Sequence, residues 1–224
     1  MKKKAIAFLL GMFALNAGFT PAAGAAQLLF DYVGFGYESP NGNPGVFADL
    51  GEGYVSVGEV TVLYAPLVFD TGANQYTYHL TAGPVTLRAT NAGFVFAQFN
   101  GGTLDVYEDA STPFDYGINP PNATAPPTFV DGTLYLQGQL TSFVMVFDAN
   151  SNSGSFEANY TVIGGSQFAN IPENKRSGWT FSGVTGNALN IPEGYAHQVD
   201  GQVFVDEVVP AQPTSWGALK ANYR

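Results

Sequence analysis

The 224-residue chain contains no cysteine and few positive charges. Eight Lys and Arg residues stand against 18 Asp and Glu, which gives a formal net charge of −10. Without cysteine, a disulfide scaffold and thiolate catalysis are excluded. Nucleic-acid binding relies on clustered basic side chains, so the charge balance argues against a nucleic-acid partner. The chain is 46% hydrophobic and only 12% charged, so it can bury a core.

Residues and motifs typical of catalytic sites are also scarce. His79 and His197 are the only two histidines and are far apart in the sequence. The sequence has neither a G-x-S-x-G nucleophile elbow nor a phosphate-binding glycine loop. The adjacent carboxylate pairs at 108–109 and 206–207 are expected to point to opposite faces of a strand and so not to flank one glycosidic bond. We therefore expect no enzymatic activity, and a hydrolase with carboxylates from distant strands stays an alternative.

The amino terminus has the three parts of a secretory signal peptide. Three lysines, Lys2 to Lys4, precede an apolar run from Ala5 to Phe19, and small residues follow at 23–26. An uncleaved membrane anchor would need about 20 apolar residues, and Pro21 ends this run. We expect cleavage after Ala25 or Ala26, so that residues 1–26 are a leader. This pattern predicts a bacterial protein that is secreted or held at the cell surface, without a transmembrane anchor in its mature form.

Alternation of apolar and polar residues with period two dominates the rest of the chain. In residues 155–163, Phe156, Ala158 and Tyr160 alternate with polar side chains, as in a strand with one buried face. Residues 142–147 are apolar on both faces, which favours a central strand between two layers. The sequence therefore predicts an all-β protein, an antiparallel β-sandwich of the jelly-roll or Greek-key type, over residues 27–209. Further predicted strands are 28–37, 54–64, 75–82, 84–90, 93–99, 103–107, 133–140, 178–182 and 202–208.

Turn-forming residues punctuate these strands. The sequence Asn100-Gly101-Gly102 predicts a tight hairpin that needs positive φ. Residues 38–53 and 112–127 are long Gly- and Pro-rich connections. We interpret them as crossovers between the two sheets, and ligand-binding loops are the alternative.

A polar loop provides a candidate calcium site. Asp148, Asn150 and Asn152 alternate as oxygen donors, which are the ligands that Ca²⁺ prefers. Gly154 comes one place later than in an EF-hand loop, and Asn159 stands where the loop needs Glu. The alternative is a hairpin loop in which Asn, Ser and Gly serve the turn.

Aromatic residues near turns suggest carbohydrate binding. Tyr37, Tyr116, Trp179 and Tyr195 are the candidates, because exposed aromatic faces stack on sugar rings. Burial in the core explains the same residues without a ligand. An outer-membrane barrel is a further alternative for alternating strands after a leader, although the polar C-terminal tail does not look like its closing strand.

Four glycine-rich segments carry a family resemblance. They are FVDGTLYLQGQL, GSFEANYTVIGG, GWTFSG and GYAHQVDGQV. Together they resemble the exported β-rich bacterial proteins with C-terminal sorting tails, the PEP-CTERM-type proteins. The tail itself departs from that group, because neither an apolar helix nor an arginine cluster follows residues 209–213. The resemblance implies an extracellular or surface-associated role.

The tail, residues 210–224, is predicted to be separate from the β-domain. Trp216, Leu219 and Tyr223 have helical spacing and could form one face of a sorting or docking peptide. A frayed terminus is the alternative. As a whole, the sequence predicts a non-catalytic structural or adhesive protein outside the cell. A carbohydrate-binding module and a secreted glycoside hydrolase are the alternatives, and surface or matrix proteins or glycans are the expected partners.

Overall fold

The computed structural model describes residues 26–39, 47–110, 113–117 and 127–206. Within them lie ten β-strands and three short 3₁₀ helices, and residues Gln27–Val205 form one compact unit. None of the described helices is long and apolar enough to cross a membrane. The strands are β1 (Ala26–Ser39), β2 (Gly53–Leu63), β3 (Gln75–Ala82), β4 (Val85–Asn91), β5 (Phe94–Phe99), β6 (Gly102–Asp109), β7 (Thr133–Asp148), β8 (Ser153–Gly164), β9 (Trp179–Gly186) and β10 (His197–Asp206). The 3₁₀ helices are Pro127–Phe129, Phe168–Asn170 and Glu173–Lys175.

The sheet closes into an eight-stranded antiparallel β-barrel, so the predicted sandwich is wrong. The strands follow the order β7-β6-β3-β2-β1-β10-β9-β8, and β8 pairs with β7 again. Period-two alternation shows only that one face of each strand is buried. A sandwich and a barrel both meet that condition, so the pattern could not distinguish them.

Two of the barrel strands are long segments with a bend in the middle. The pairing of β3 with β6 continues into the pairing of β4 with β5, because Ala82 faces Gly102 and Val85 faces Phe99. Hydrogen bonds from Gly83 N to the Gly101 carbonyl, 2.9 Å, and from Asn100 N to the Pro84 carbonyl, 2.9 Å, bridge the gap. Residues 75–91 and 94–109 therefore form one long hairpin, and the fold is an up-and-down meander.

The predicted hairpin at Asn100-Gly101-Gly102 is consequently wrong. Gly101 and Gly102 do have positive φ, +66° and +157°. The chain nevertheless continues in one direction along β7, which pairs with both β5 and β6. The tight turn lies instead at Ala92 and Gly93, with φ of 52° and 90°. Positive φ identifies a bend but does not say which way the chain leaves it.

The predicted strands 133–140 and 142–147 are one strand, β7, with an irregularity at Ser142, whose φ is 55°. Phe143, Met145 and Phe147 point into the barrel and are buried. Val146, on the opposite face, is 41% exposed. The prediction of a central strand covered on both faces is therefore wrong, because β7 is part of a barrel wall with one covered face here.

The two long connections are not crossovers. Residues 38–53 lead from β1 to β2 and residues 112–127 lie between β6 and β7, and both pairs of strands are neighbours in the barrel. The described part of the second connection packs on the outer face of β1 and β2 instead. It forms a second apolar cluster there that contains Phe35, Tyr37, Val55, Val57, Phe114, Tyr116, Phe129, Val130, Ile191 and Tyr195.

Tyrosines fill the barrel interior and lie across glycines of neighbouring strands. A β-carbon added at Gly36 would overlap the Tyr54 ring, and one added at Gly138 would overlap the Tyr160 ring. Both tyrosines are buried. An eight-stranded barrel is just wide enough for side chains to fill it. Here glycines supply the room that the large rings need.

The alternation of buried and exposed residues along the strands agrees with this arrangement. In β8, Phe156, Ala158 and Tyr160 point inward and are buried, as the sequence predicts. The alternating Ser155, Glu157 and Asn159 are exposed, and most other outward positions are also polar.

Candidate functional site

One candidate site lies at the upper end of the barrel, defined here as the end at which β1 ends and β2 begins. His197, the first residue of β10, is 2% exposed in the interior there. Its Nε2 is 2.8 Å from the Tyr54 hydroxyl, and the two rings stack with centroids 5.4 Å apart. Burial lowers the pKa of His197 to about 4. His197 is therefore a neutral residue of the barrel interior.

Three carboxylates, those of Glu38, Asp49 and Glu52, lie close together at this end of the barrel. Glu38 accepts a hydrogen bond from Ala48 N, and Glu52 accepts one from Asp49 N at 2.9 Å. Burial, followed by repulsion from Glu52 and Asp49, raises the pKa of Glu38 to about 7. Arg88 lies 3.8 Å from Asp49 and partly offsets this repulsion. The arrangement holds Glu38 partly protonated near neutral pH and fastens the loop 47–52 onto the barrel end.

His79 lies elsewhere, on the outer face of β3. Its Nε2 is 3.3 Å from the Thr81 hydroxyl, and partial burial lowers its pKa. It does not meet His197, so the two histidines do not form a common site.

An apolar cavity opens at the lower end of the barrel, where β1 begins and β10 ends. Its volume is about 250 Å³. Leu29, Ile171 and Trp179 are buried residues of its lining, and Lys175 lies on its exposed rim. The remaining lining residues are Gln27, Ala65, Pro66, Pro172 and Val205.

An acidic pocket of about 420 Å³ lies beside the end of β6. Glu108, Asp109 and Asp131 all line it. Glu108 accepts hydrogen bonds from the Tyr76 hydroxyl, 2.6 Å, and from Asn74, 2.7 Å. Asp109 instead contacts Gln75, the neighbour of Tyr76 on β3, at 3.4 Å, so the two carboxylates keep to opposite faces of β6 although both residues line the pocket. Asp131 was not visible as a partner in the sequence because it follows a long connection.

An apolar strip crosses the outer wall where the hairpin β4–β5 extends the sheet. We define the apolar strip as Leu87, Phe94, Phe96, Val146 and Val184. Phe96 faces Val146 across β5 and β7, Val146 faces Ser155, and Ser155 faces Val184. Phe96, Val146 and Val184 therefore lie in one row, in which the exposed Ser155 separates the two valines. Leu87 is 50% exposed, Phe94 51% and Val184 54%.

The predicted calcium ligands lie in the turn between β7 and β8. Asp148 accepts hydrogen bonds from the backbone N–H and side-chain amide of Asn150 and from the Ser151 hydroxyl, which lower its pKa. Asn152 has a φ of 50° and donates to Asn187. Asp148 and Asn150 are thus engaged in contacts within the turn, and Asn152 contacts the loop that follows β9. Among the described residues, no group of three His, Asp or Glu side chains is placed to hold a metal ion.

The predicted sugar-binding aromatics fall in two places. Tyr37, Tyr116 and Tyr195 meet in the second apolar cluster, with Tyr195 5.7 Å from Tyr37 and 5.8 Å from Tyr116 between ring centroids. Trp179 lies at the lower end, 1% exposed, and stacks on Tyr160. Protein side chains cover most of these ring faces.

The tail residues Trp216, Leu219 and Tyr223 lie outside the described residues, as does the predicted leader apart from Ala26.

Comparison of the chain with protein-family models, curated proteins and solved structures gave no match.

Proposed function

We propose that this chain is a non-catalytic structural or adhesive protein of the bacterial exterior, and that copies of it associate through the apolar strip. The observation that carries the proposal is the position of the apolar strip beside a sheet edge. The leader-like amino terminus, the acidic composition and the mainly polar outer wall support a location in water outside the cell.

The sheet edge is formed by β4. It is the terminal strand in the sheet order, so among the described strands it pairs with β5 alone. The backbone of Val85 forms hydrogen bonds with Gly51 and Glu52 of the preceding loop, and the Arg88 side chain contacts the same loop at Phe47 and Asp49. A strand edge with free backbone groups is a template for pairing with another strand.

The size of the strip indicates the strength of the contact. Its most exposed side chains present roughly 300 Å² of apolar surface, which is at the lower end of the range for the largest apolar patch on a monomer. Face-to-face burial of this area alone stays below the ~1,000 Å² of a stable interface. Antiparallel pairing of β4 with β4 of a second copy would add backbone hydrogen bonds and keep two-fold symmetry. We therefore expect weak, concentration-dependent self-association.

Sedimentation equilibrium tests this proposal. The average mass of the mature protein is expected to rise with concentration, and Val146→Lys is expected to weaken association at least tenfold. Ile163→Lys is the matched control, because Ile163 is 47% exposed on β8 but lies outside the strip. A protein that stays monomeric at every concentration, or equal effects of both variants, would contradict the proposal.

The acidic pocket favours a second candidate function, glycoside hydrolysis. Three carboxylates line one pocket, and glycosidases work with a facing pair of carboxyl groups. Hydrolysis of chromogenic glycosides that is lost in Asp131→Asn would support it. Absence of hydrolysis across aryl glycosides of the common sugars would refute it.

A further inference from the structure

The cavity at the lower end of the barrel has the features of a small-molecule site. Its floor is formed by Leu29 and Ile171, both 0% exposed, and by Trp179, 1% exposed. Two prolines, Pro66 and Pro172, stand in its walls. Buried packed side chains and ring-constrained backbone resist collapse, so the cavity is preformed.

The volume limits what the cavity can hold. At about 250 Å³ it is smaller than most drug-sized sites. An apolar protein cavity of about 150 Å³ takes up benzene. The lower cavity therefore has room for one aromatic ring or a short branched chain with a polar end.

Charge identifies the polar end. The described residues include only three Lys and Arg side chains, at 88, 175 and 176. Arg88 pairs with Asp49 at the other end of the barrel. Arg176 donates to the Ile171 carbonyl and lies over the Phe168 ring, 3.9 Å from its centroid. Lys175 is exposed on the cavity rim, and among the described residues its ammonium forms no ion pair.

We propose that the lower cavity binds a small hydrophobic carboxylate, with the aromatic or branched apolar group against Leu29, Ile171 and Trp179 and the carboxylate at the Lys175 ammonium. Most charged side chains of this protein are acidic. The Lys175 ammonium on the rim therefore favours a carboxylate over a neutral molecule of the same shape. Gln27 is the second polar side chain of the lining, and its amide donates to the Ala65 carbonyl at 2.8 Å. This site is separate from the apolar strip.

The position of Trp179 allows a direct binding assay. The chain has two tryptophans, Trp179 and Trp216. Trp216→Phe leaves Trp179 as the sole tryptophan reporter, in contact with the cavity. Titration of this full-length variant with 3-phenylpropanoate is expected to give a saturable change in Trp179 emission. The uncharged 3-phenylpropanamide is expected to bind about tenfold more weakly, because it lacks the charge-assisted contact.

Two charge variants distinguish a direct contact with Lys175 from the overall electrostatic potential of the protein. Lys175→Gln is expected to weaken carboxylate binding about tenfold and to leave amide binding within about twofold. Arg88→Gln removes the same charge far from the cavity and is expected to change neither. Ala65→Phe, at an exposed position of the lining, is expected to block both ligands.

A second readout is independent of tryptophan. The methyl NMR shifts of Leu29 and Ile171 are expected to move with the same saturation curve, and circular dichroism confirms that each variant is folded. Two results would overturn the proposal: no saturable change in either signal, or equal loss of binding in Lys175→Gln and Arg88→Gln.

Discussion

Two tyrosines in contact inside the barrel give a sharp test of its interior. Tyr32 and Tyr78 are both 0% exposed, and their rings meet edge to face with centroids 4.7 Å apart. The Tyr78 hydroxyl is 2.8 Å from the Ser56 hydroxyl. The Tyr32 hydroxyl has no hydrogen-bond partner among the described residues. The same substitution, Tyr to Phe, should therefore have opposite effects at the two positions.

The magnitudes follow from the cost of burying polar groups. A buried hydroxyl without a partner costs about 1–3 kcal/mol, so Tyr32→Phe is expected to raise the free energy of unfolding by about 1 kcal/mol. Removing a made hydrogen bond costs about 1 kcal/mol. Tyr78→Phe is expected to lower the free energy of unfolding by this amount and no more, because the Ser56 hydroxyl still donates to the Phe35 carbonyl at 3.1 Å. The two variants should differ by about 2 kcal/mol, or roughly 4–8 °C in Tm for a domain of this size.

Urea denaturation followed by circular dichroism measures both variants under one set of conditions. Equal m-values would show that only stability has changed. If Tyr32→Phe is destabilised as much as Tyr78→Phe, the hydroxyl environments described here are wrong.

Three further predictions concern other parts of the chain. Glu38→Gln should stabilise the fold at about pH 8 and change its stability little at about pH 5. The pKa of Glu38 is raised from 4.5 to about 7 in the folded state, so between these two pH values the folded protein holds a proton that the unfolded chain has lost. The wild-type protein therefore loses stability as the pH rises from 4.5 to about 7, and the uncharged Gln does not. Urea midpoints at the two pH values check this, and a stabilisation that is larger at the lower pH would contradict it. Gly138→Ala should destabilise by several kcal/mol, because the new methyl group would overlap the Tyr160 ring, whereas Gly186→Ala, which has open space, should cost little; a thermal melt of each variant is sufficient, and equal losses would refute the interlocking of glycine and tyrosine. Replacing a chelator by millimolar calcium should leave Tm unchanged, because local donors already occupy the Asp148 carboxylate; a calcium-dependent rise in Tm would restore the calcium hypothesis.

Local pattern predicted most strands and the buried face of many of them. The alternation around Phe156 and Tyr160 identified β8 and its inward face correctly, since burial of one face is a property of a single strand. Closure of the sheet into a barrel could not be predicted from the sequence, because it depends on which strands pair with one another. β7 pairs with β8 and also with β5 and β6, and these partners are set by contacts distant in the chain.

The candidate sites were less visible in the sequence for a related reason. Lys175 and Leu29 line one cavity, and Glu108 and Asp131 line another, although long stretches of chain separate the members of each pair. No local spacing links such residues. His197 shows the opposite difficulty: its neighbours resemble a turn, whereas the closing strand carries it into the interior beside Tyr54.

Pairing of the first strand with the last makes the sheet a closed barrel. Ala196 N donates to the Gly36 carbonyl at 2.8 Å, just before β10 begins. Cross-strand NOEs in solution NMR test this seam directly. The barrel predicts NOEs between the Gly36 and Ala196 backbones together with NOEs from β7 to both β6 and β8. A spectrum in which β7 shows its neighbours but β1 and β10 share no NOEs would contradict a closed barrel.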